Sequence, residues 1–160
     1  MKQKNNYNEL KIFSEKEKQE IVQRLNEQFG VEKISGILLR RGAERIFLFN
    51  GSMNAKQIKK LEESVPIERV GVYFAKFYDE EIRLSIEGVH MLNYQIKNNI
   101  FELDEEQAEQ WMKGHELNIK SEKKGILAMK YKDDFLGCGK ASAEKIGNFI
   151  PKSRRLREKG

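Results

Sequence analysis

The chain has 160 residues, of which 30 are Lys or Arg and 25 are Asp or Glu, so its formal net charge is +5. This length fits one domain or two small ones. Nine Phe, five Tyr and regular Ile, Leu and Val clusters exclude a collagen or a disordered tail. A single cysteine, Cys138, excludes a disulfide framework and a Cys-rich zinc module. No apolar run approaches the roughly 20 residues of a membrane helix. The first six residues precede no apolar run, so we expect no secretory signal and a cytoplasmic location.

The positive charge is concentrated at one end of the chain. Residues 118–160 contain 12 basic and 5 acidic residues, whereas residues 1–117 contain 18 basic and 20 acidic residues. A positive field at one end is typical of proteins that bind nucleic acid or another polyanion. A lysine-rich surface that only improves solubility is the alternative.

Two helices are predicted in the first half. Ser14 and Glu17 have the spacing of a capping box, and apolar residues at helical spacing follow over residues 15–29. A second box at residues 54–57 begins a helix that we expect to end before Pro66.

Short apolar runs bounded by turn residues predict the strands. Apolar residues recur at alternate positions from residue 70, at Val70, Val72, Phe74 and, after Lys76, Tyr78, so we expect a strand with an apolar stripe. The strands are predicted over residues 37–39, 46–49, 70–77, 82–86, 117–119, 126–131, 135–139 and 146–150.

The second half is predicted to consist mostly of short strands around one helix. A short helical stretch is expected at residues 89–94, and Asp104 can begin a helix that runs through Lys113. The change from helical to strand spacing predicts an α+β protein with two domains, residues 1–80 and 81–160.

Several of these segments together resemble a known family. Residues 82–88, the helix ending at residues 111–114, and residues 135–139 with the strand after them resemble a PUA domain. In the first half, three segments resemble the domain that precedes PUA in NIP-seven-type ribosome-biogenesis factors: residues 13–17, 45–49 and 70–77. The last of these segments has Ala75 where glycine is usual in that family. Residues 147–156 resemble the PUA-like tails linked to Nol/Nop/Sun RNA methyltransferases. The composition, rich in Lys and Ile, favours an archaeal or bacterial source.

The resemblance implies an α+β pre-PUA domain followed by a PUA-like pseudo-β-barrel that binds RNA. Lys113 would contact a phosphate, Gly114 would supply a positive φ or a close backbone approach, and His115 would stack on or hydrogen-bond to a base. An ordinary helix end and a disordered basic terminus are the alternatives at these places. The residues expected to bind RNA are Lys113, Gly114, His115, Lys120, Lys140, Lys152, Arg154, Arg155 and Arg157.

No arrangement of residues predicts catalysis or metal binding. Trp111 shares a helix face with Ala108, which favours burial over stacking on a base. Two glycines flank Cys138, which indicates a bulge or a close crossing of chains, and no sequence feature supplies this thiol with a base. The carboxylates of residues 79–81 are interpreted as solvated charges in a turn, and those of residues 104–106 as complements to the dipole at a helix N-terminus. We therefore expect no enzyme activity, no cofactor and no metal.

The favoured hypothesis is a non-catalytic protein that recognises structured rRNA or tRNA in ribosome biogenesis or RNA modification. Its N-terminal domain would bind a protein partner such as an RNA methyltransferase. The alternative is a protein–protein adaptor for a methyltransferase or ribosome-assembly complex, in which the basic surface meets an acidic partner.

Overall fold

The computed structural model describes residues 10–65 and 70–158, so the predictions for the first six residues and for Pro66 fall outside it. Helices and strands are mixed along the chain, which confirms the predicted α+β class. The helices in the described ranges are α1 Glu15–Phe29, α2 Ala55–Ser64, α3 Ile86–Met91 and α4 Glu105–Met112. Within these ranges, no helix has the length and apolar character needed to cross a membrane.

The first sheet is an antiparallel meander in which the strands lie in chain order. Its strands are β1 Leu10–Ile12, β2 Ile37–Arg41, β3 Arg45–Phe49, β4 Val72–Tyr78 and β5 Glu81–Leu84. Helix α1 begins at the predicted capping box, where the Glu17 backbone N–H donates to Oγ of Ser14 over 3.2 Å. It ends at Gly30, which has φ 84°. The prediction for residues 15–29 is therefore confirmed.

Strand β4 contains a bulge that changes which of its side chains are buried. The register of β3 against β4 shifts by one residue, and Phe74 is the extra residue. Phe74 and Ala75 are consequently both buried, whereas Val72 is 42% exposed. The predicted apolar stripe is therefore not one continuous buried face, because Val72 is exposed and Val70 packs in a different apolar cluster from Phe74.

A polar side chain ends β5 earlier than predicted. Oγ of Ser85 accepts a hydrogen bond from the Gly88 backbone N–H over 2.9 Å and so caps the N-terminus of α3. The strand therefore stops at Leu84 instead of residue 86. The helix predicted at residues 89–94 begins three residues earlier for the same reason.

The second sheet has the order β6-β7-β8-β9, with β6 parallel to β7 and the other pairs antiparallel. Its strands are β6 Ile100–Glu102, β7 Gly125–Tyr131, β8 Asp134–Ala141 and β9 Ile146–Asn148. The register of β7 against β8 shifts close to Gly137, which has φ 88°, so the predicted bulge is confirmed.

Two strand predictions in this half were wrong. Residues 117–119 form only a single bridge, from Leu117 to Ile146, and Leu117 is a buried anchor of the core. Strand β9 ends at Asn148, because its Oδ1 accepts a hydrogen bond from the Ile150 backbone N–H over 2.8 Å and directs the chain away from β8.

The two sheets share one apolar core. A single cluster contains buried residues of α1, of β4 and β5, and of β7 and β8, including Phe29, Phe74, Ile126 and Phe135. The carboxylate of Glu81 adds a polar contact, since Oε1 accepts from the Ile126 backbone N–H over 3.0 Å. The first sheet continues to the end of β5, and the division into domains 1–80 and 81–160 stays a prediction.

Candidate nucleic-acid interface

The end of α4 is shaped by a glycine that a second segment of the chain covers. Gly114 has φ 88°, as the sequence analysis anticipated. A Cβ atom at this position would lie 2.3 Å from both Cδ and Nε of Arg155. Because no side chain can occupy this space, Gly114 allows Arg155 to pack directly on the helix end. Lys113 caps the helix, and its Nζ lies 3.3 Å from Oε1 of Glu109.

The segment of residues 151–158, called here the C-terminal segment, packs against the end of α4. It begins with a 3-10 helix at Lys152–Arg154. Nε of Arg155 donates to the Ile150 carbonyl oxygen over 2.9 Å, and the Leu156 backbone N–H donates to the Met112 carbonyl oxygen over 2.8 Å. These contacts make the segment part of the fold instead of a free basic terminus.

His115 is held in place by partners on both sides of its ring. Nδ1 contacts Oε1 of Gln110, and Nε2 lies 2.7 Å from Oε1 of Glu158. Its carbonyl oxygen accepts from Nδ2 of Asn148 over 3.1 Å. A base that hydrogen-bonds to this imidazole would therefore compete with Glu158 or Gln110.

The basic residues predicted to bind RNA do not all share one environment. Arg154 forms an ion pair with Oε1 of Glu87 at the start of α3. Lys140 packs on an aromatic ring of the first sheet, as described below. Three further cations are exposed, and none of them forms a side-chain hydrogen bond or ion pair with another described residue: Lys120, Lys152 and Arg157. The structure thus brings together four of the predicted residues at the end of α4: Lys113, Gly114, His115 and Arg155. Arg154 and Lys140 instead contact residues of α3 and β4.

The structure adds a second group of residues that the sequence analysis did not assemble. Nζ of Lys140 lies 4.3 Å from the centre of the Tyr78 ring, and Cζ of Arg83 lies 4.3 Å from the centre of the Phe149 ring. The two rings meet edge to face, with their centres 5.7 Å apart. These four residues are called the cation–aromatic cluster, and they join β4 and β5 to β8 and the chain after β9.

A signal for this cluster was present in the sequence but incomplete. Aromatic and basic residues lie next to each other in β4, and β4 pairs with β5 such that Lys76 faces Arg83. Interleaved aromatic and basic residues favour contacts with single-stranded nucleic acid. The partners from the second sheet, however, are determined by how the two sheets pack.

Trp111 and Cys138 are buried, as predicted. Trp111 is 0% exposed, and its Nε1 donates to the Leu136 carbonyl oxygen over 2.9 Å. Burial raises the pKa of the Cys138 thiol to about 12, although a hydrogen bond from the Leu84 backbone and the charge of Arg83 act in the opposite direction. A neutral thiol is a poor nucleophile.

The carboxylate runs have structural roles. Oδ1 of Asp104 accepts from the Gln107 backbone N–H over 2.8 Å and caps α4, as expected. Glu81 differs from the expected solvated turn residue, because it is half-buried and bonds to β7. Over residues 10–65 and 70–158, no three His, Cys, Asp or Glu side chains are grouped so that they could hold a metal ion.

Comparison with known proteins identifies the second half of the chain. Residues 98–156 match the family model described as the PUA domain of methyltransferase RsmF. No curated protein matches the chain. The matched range includes all of the second sheet, helix α4 and most of the C-terminal segment. Residues 98–156 are therefore similar to a PUA domain, a type of domain that binds RNA.

Proposed function

We propose that this protein is a non-catalytic, cytoplasmic RNA-binding protein that recognises structured rRNA or tRNA during ribosome biogenesis or RNA modification. The observation that carries the proposal is the C-terminal segment packed on the end of α4, inside the range that matches a PUA domain. This packing places Arg155 against Gly114 and joins Leu156 to Met112, so that Arg155 and the exposed Arg157 lie at the end of α4, where Lys113 also lies.

The charge distribution supports contact with phosphates. The 12 basic residues among residues 118–160 outnumber the 5 acidic ones, whereas the rest of the chain is slightly acidic. Affinity for a polyanion depends on the local charge of the contact surface, since each phosphate contact releases condensed counterions. Strong dependence of RNA binding on salt concentration is therefore expected.

The environment of Cys138 supports a role without covalent catalysis. The thiol is buried and its pKa is raised to about 12, so it stays protonated at neutral pH. Neither histidine supplies it with a base: Nε2 of His90 contacts the Phe135 carbonyl oxygen at 2.8 Å, and both ring nitrogens of His115 have other partners.

A protein–protein adaptor is the second candidate, and a groove in the N-terminal half favours it. The groove lies between α1 and β4 and has a volume of about 580 Å³. Its walls combine apolar rings with charges of both signs, as in Phe13, Phe77, Arg24, Glu20 and Glu27. Mixed apolar and charged surfaces are typical of transient protein interfaces. An RNA methyltransferase is the partner that we propose for this surface.

A filter-binding titration against total rRNA and total tRNA at two salt concentrations tests the main proposal. Replacing Lys152 and Arg157, the two exposed cations of the C-terminal segment that have no ion-pair partner among the described residues, by Ala should weaken binding by roughly 1–3 kcal/mol and reduce the salt slope by about one to two, because two phosphate contacts are lost. The matched control replaces Lys56 and Lys60, two exposed lysines of α2, by Ala. If both double variants bind as the parent does, the basic surface serves solubility or an acidic partner, and the adaptor becomes the better candidate.

A further inference from the structure

In the cation–aromatic cluster, two positive charges are supported by aromatic rings instead of carboxylates, and the two rings contact each other. Lys76 and Lys113 each pair with a nearby glutamate, as does Arg154. Arg83 and Lys140 instead pack on aromatic rings, and neither has a carboxylate within ion-pair distance among the described residues. Their positive charges are therefore held in position without being neutralised, which favours an anionic ligand.

The orientation of Arg83 is restricted from two sides. The Phe149 ring lies 4.3 Å from its Cζ, and Nη2 donates to the Tyr73 hydroxyl oxygen over 3.3 Å. A guanidinium group that is already oriented loses little conformational entropy when a ligand binds. An arginine plane, like an aromatic ring, is also a surface on which an unstacked RNA base can lie.

The cavity beside the cluster is too small to enclose a ligand. Its volume is about 60 Å³, and Tyr73, Arg83, Phe149 and Arg154 line it. Pockets that enclose small molecules have volumes of roughly 300–1,000 Å³. The cavity can therefore hold only the edge of a ligand, and the rest of that ligand would remain on the protein surface.

We propose that the cation–aromatic cluster binds an unpaired stretch of RNA, with one base stacked on Arg83 and a neighbouring phosphate on Lys140. This inference rests on the proposed function and assigns it a second contact surface, formed jointly by both sheets. A base inside a duplex has neighbours on both faces, so only an unpaired base can reach the Arg83 guanidinium. The cluster thus binds a single strand or a loop, while the C-terminal segment contacts phosphates of any RNA.

Fluorescence anisotropy with the full chain separates these two surfaces. The probes are a labelled single-stranded RNA of ten nucleotides and a labelled RNA duplex with two blunt ends and no loop. The variants are Arg83→Ala, Arg83→Lys, which keeps the charge but not the plane, and Phe149→Leu, which keeps apolar volume but not the ring. The matched control is Arg24→Ala, because Cζ of Arg24 also lies over a ring of the first sheet, 5.7 Å from the centre of Phe77. Trp111 fluorescence verifies that each variant is folded.

Both Arg83 variants should bind the single strand about tenfold more weakly, since stacking of one base is worth roughly 1–3 kcal/mol. Phe149→Leu should also weaken binding of the single strand, because Arg83 loses the ring that holds its guanidinium group in place. The affinity of these three variants for the duplex should change by less than about twofold, and Arg24→Ala should leave the affinities for both probes unchanged.

The outcomes that would overturn the inference differ from failure of the proposed function. If Arg83→Ala loses equal affinity for both probes, the cluster contacts phosphates of any RNA and does not select unpaired bases. If its affinity for both probes is unchanged, the cluster does not bind RNA. Displacement of the single strand by a ten-residue glutamate peptide at equal concentration would assign the cluster to an acidic protein segment. If the parent protein binds neither probe, the proposed function itself is wrong.

Discussion

Substitution of Gly114 by Ala tests whether the packing of the C-terminal segment depends on this position. Gly114 has φ 88°, a backbone conformation that disfavours every residue with a Cβ. The added Cβ would lie 2.3 Å from two atoms of the Arg155 side chain, so that side chain must move. The substitution therefore combines backbone strain with loss of a tertiary contact.

The backbone strain and the lost contact of Arg155 each have their own cost in free energy of unfolding. The left-handed conformation costs a residue with a Cβ about 1–2 kcal/mol. Displacement of Arg155 removes the hydrogen bond from its Nε to the Ile150 carbonyl oxygen, which contributes about 1 kcal/mol at a partly exposed site. We therefore expect Gly114→Ala to lower the free energy of unfolding by about 2–3 kcal/mol.

Gly30→Ala is the matched control, since Gly30 also ends a helix and has φ 84°. Its added Cβ would meet no atom closer than 3.4 Å, so only the backbone cost of about 1–2 kcal/mol applies. Urea denaturation measures both losses. Limited trypsin digestion, followed by intact mass, measures release of the C-terminal segment through cleavage after Arg154, Arg155 or Arg157. Gly114→Ala should be cleaved there faster than Gly30→Ala and should bind RNA more weakly.

Equal losses of stability and equal cleavage rates in the two variants would refute this reasoning. They would mean that Arg155 finds another conformation without cost. The C-terminal segment would then be held by the backbone hydrogen bond between Leu156 and Met112 and not by its fit to Gly114.

Two further predictions concern the buried side chains of the second half. Trp111→Phe should lower the free energy of unfolding by about 2 kcal/mol in urea denaturation, because the Leu136 carbonyl oxygen loses its donor, and should leave RNA affinity unchanged. Weaker RNA binding without loss of stability would instead support stacking of Trp111 on a base. Cys138 should resist iodoacetamide at pH 8 in the folded protein and react in urea, because its pKa of about 12 keeps the thiol protonated while folded. Rapid alkylation of the native protein, followed by mass spectrometry, would contradict its burial.

The helix starts were predictable because their determinants are local. In α1, α2 and α4, a polar side chain bonds to a backbone N–H three residues later, and the residue at that position bonds back. Such a box depends on four consecutive residues, so the sequence pattern is sufficient to identify it. The charge asymmetry and the tight conformation at Gly114 were likewise visible in the sequence.

The strand ends were less predictable, because they depend on competition between local bonds and sheet pairing. Ser85 caps α3 and ends β5, and the side chain of Asn148 ends β9. In β4, the bulge at Phe74 places two successive side chains, Phe74 and Ala75, in the core, although successive side chains of a regular strand lie on opposite faces. Register is a property of two strands, so one strand's pattern does not determine it.

By itself, the sequence determined the α+β class, the starts of α1, α2 and α4, the positive C-terminal region and the burial of Trp111 and Cys138. Only the tertiary structure decided which basic residues lie together. Arg155 covers Gly114, and Arg83 meets Phe149, because packing of the two sheets and return of the chain to α4 bring distant segments into contact. Such contacts depend on the relative position of whole elements, whereas helix caps and charge counts depend only on neighbouring residues or on composition.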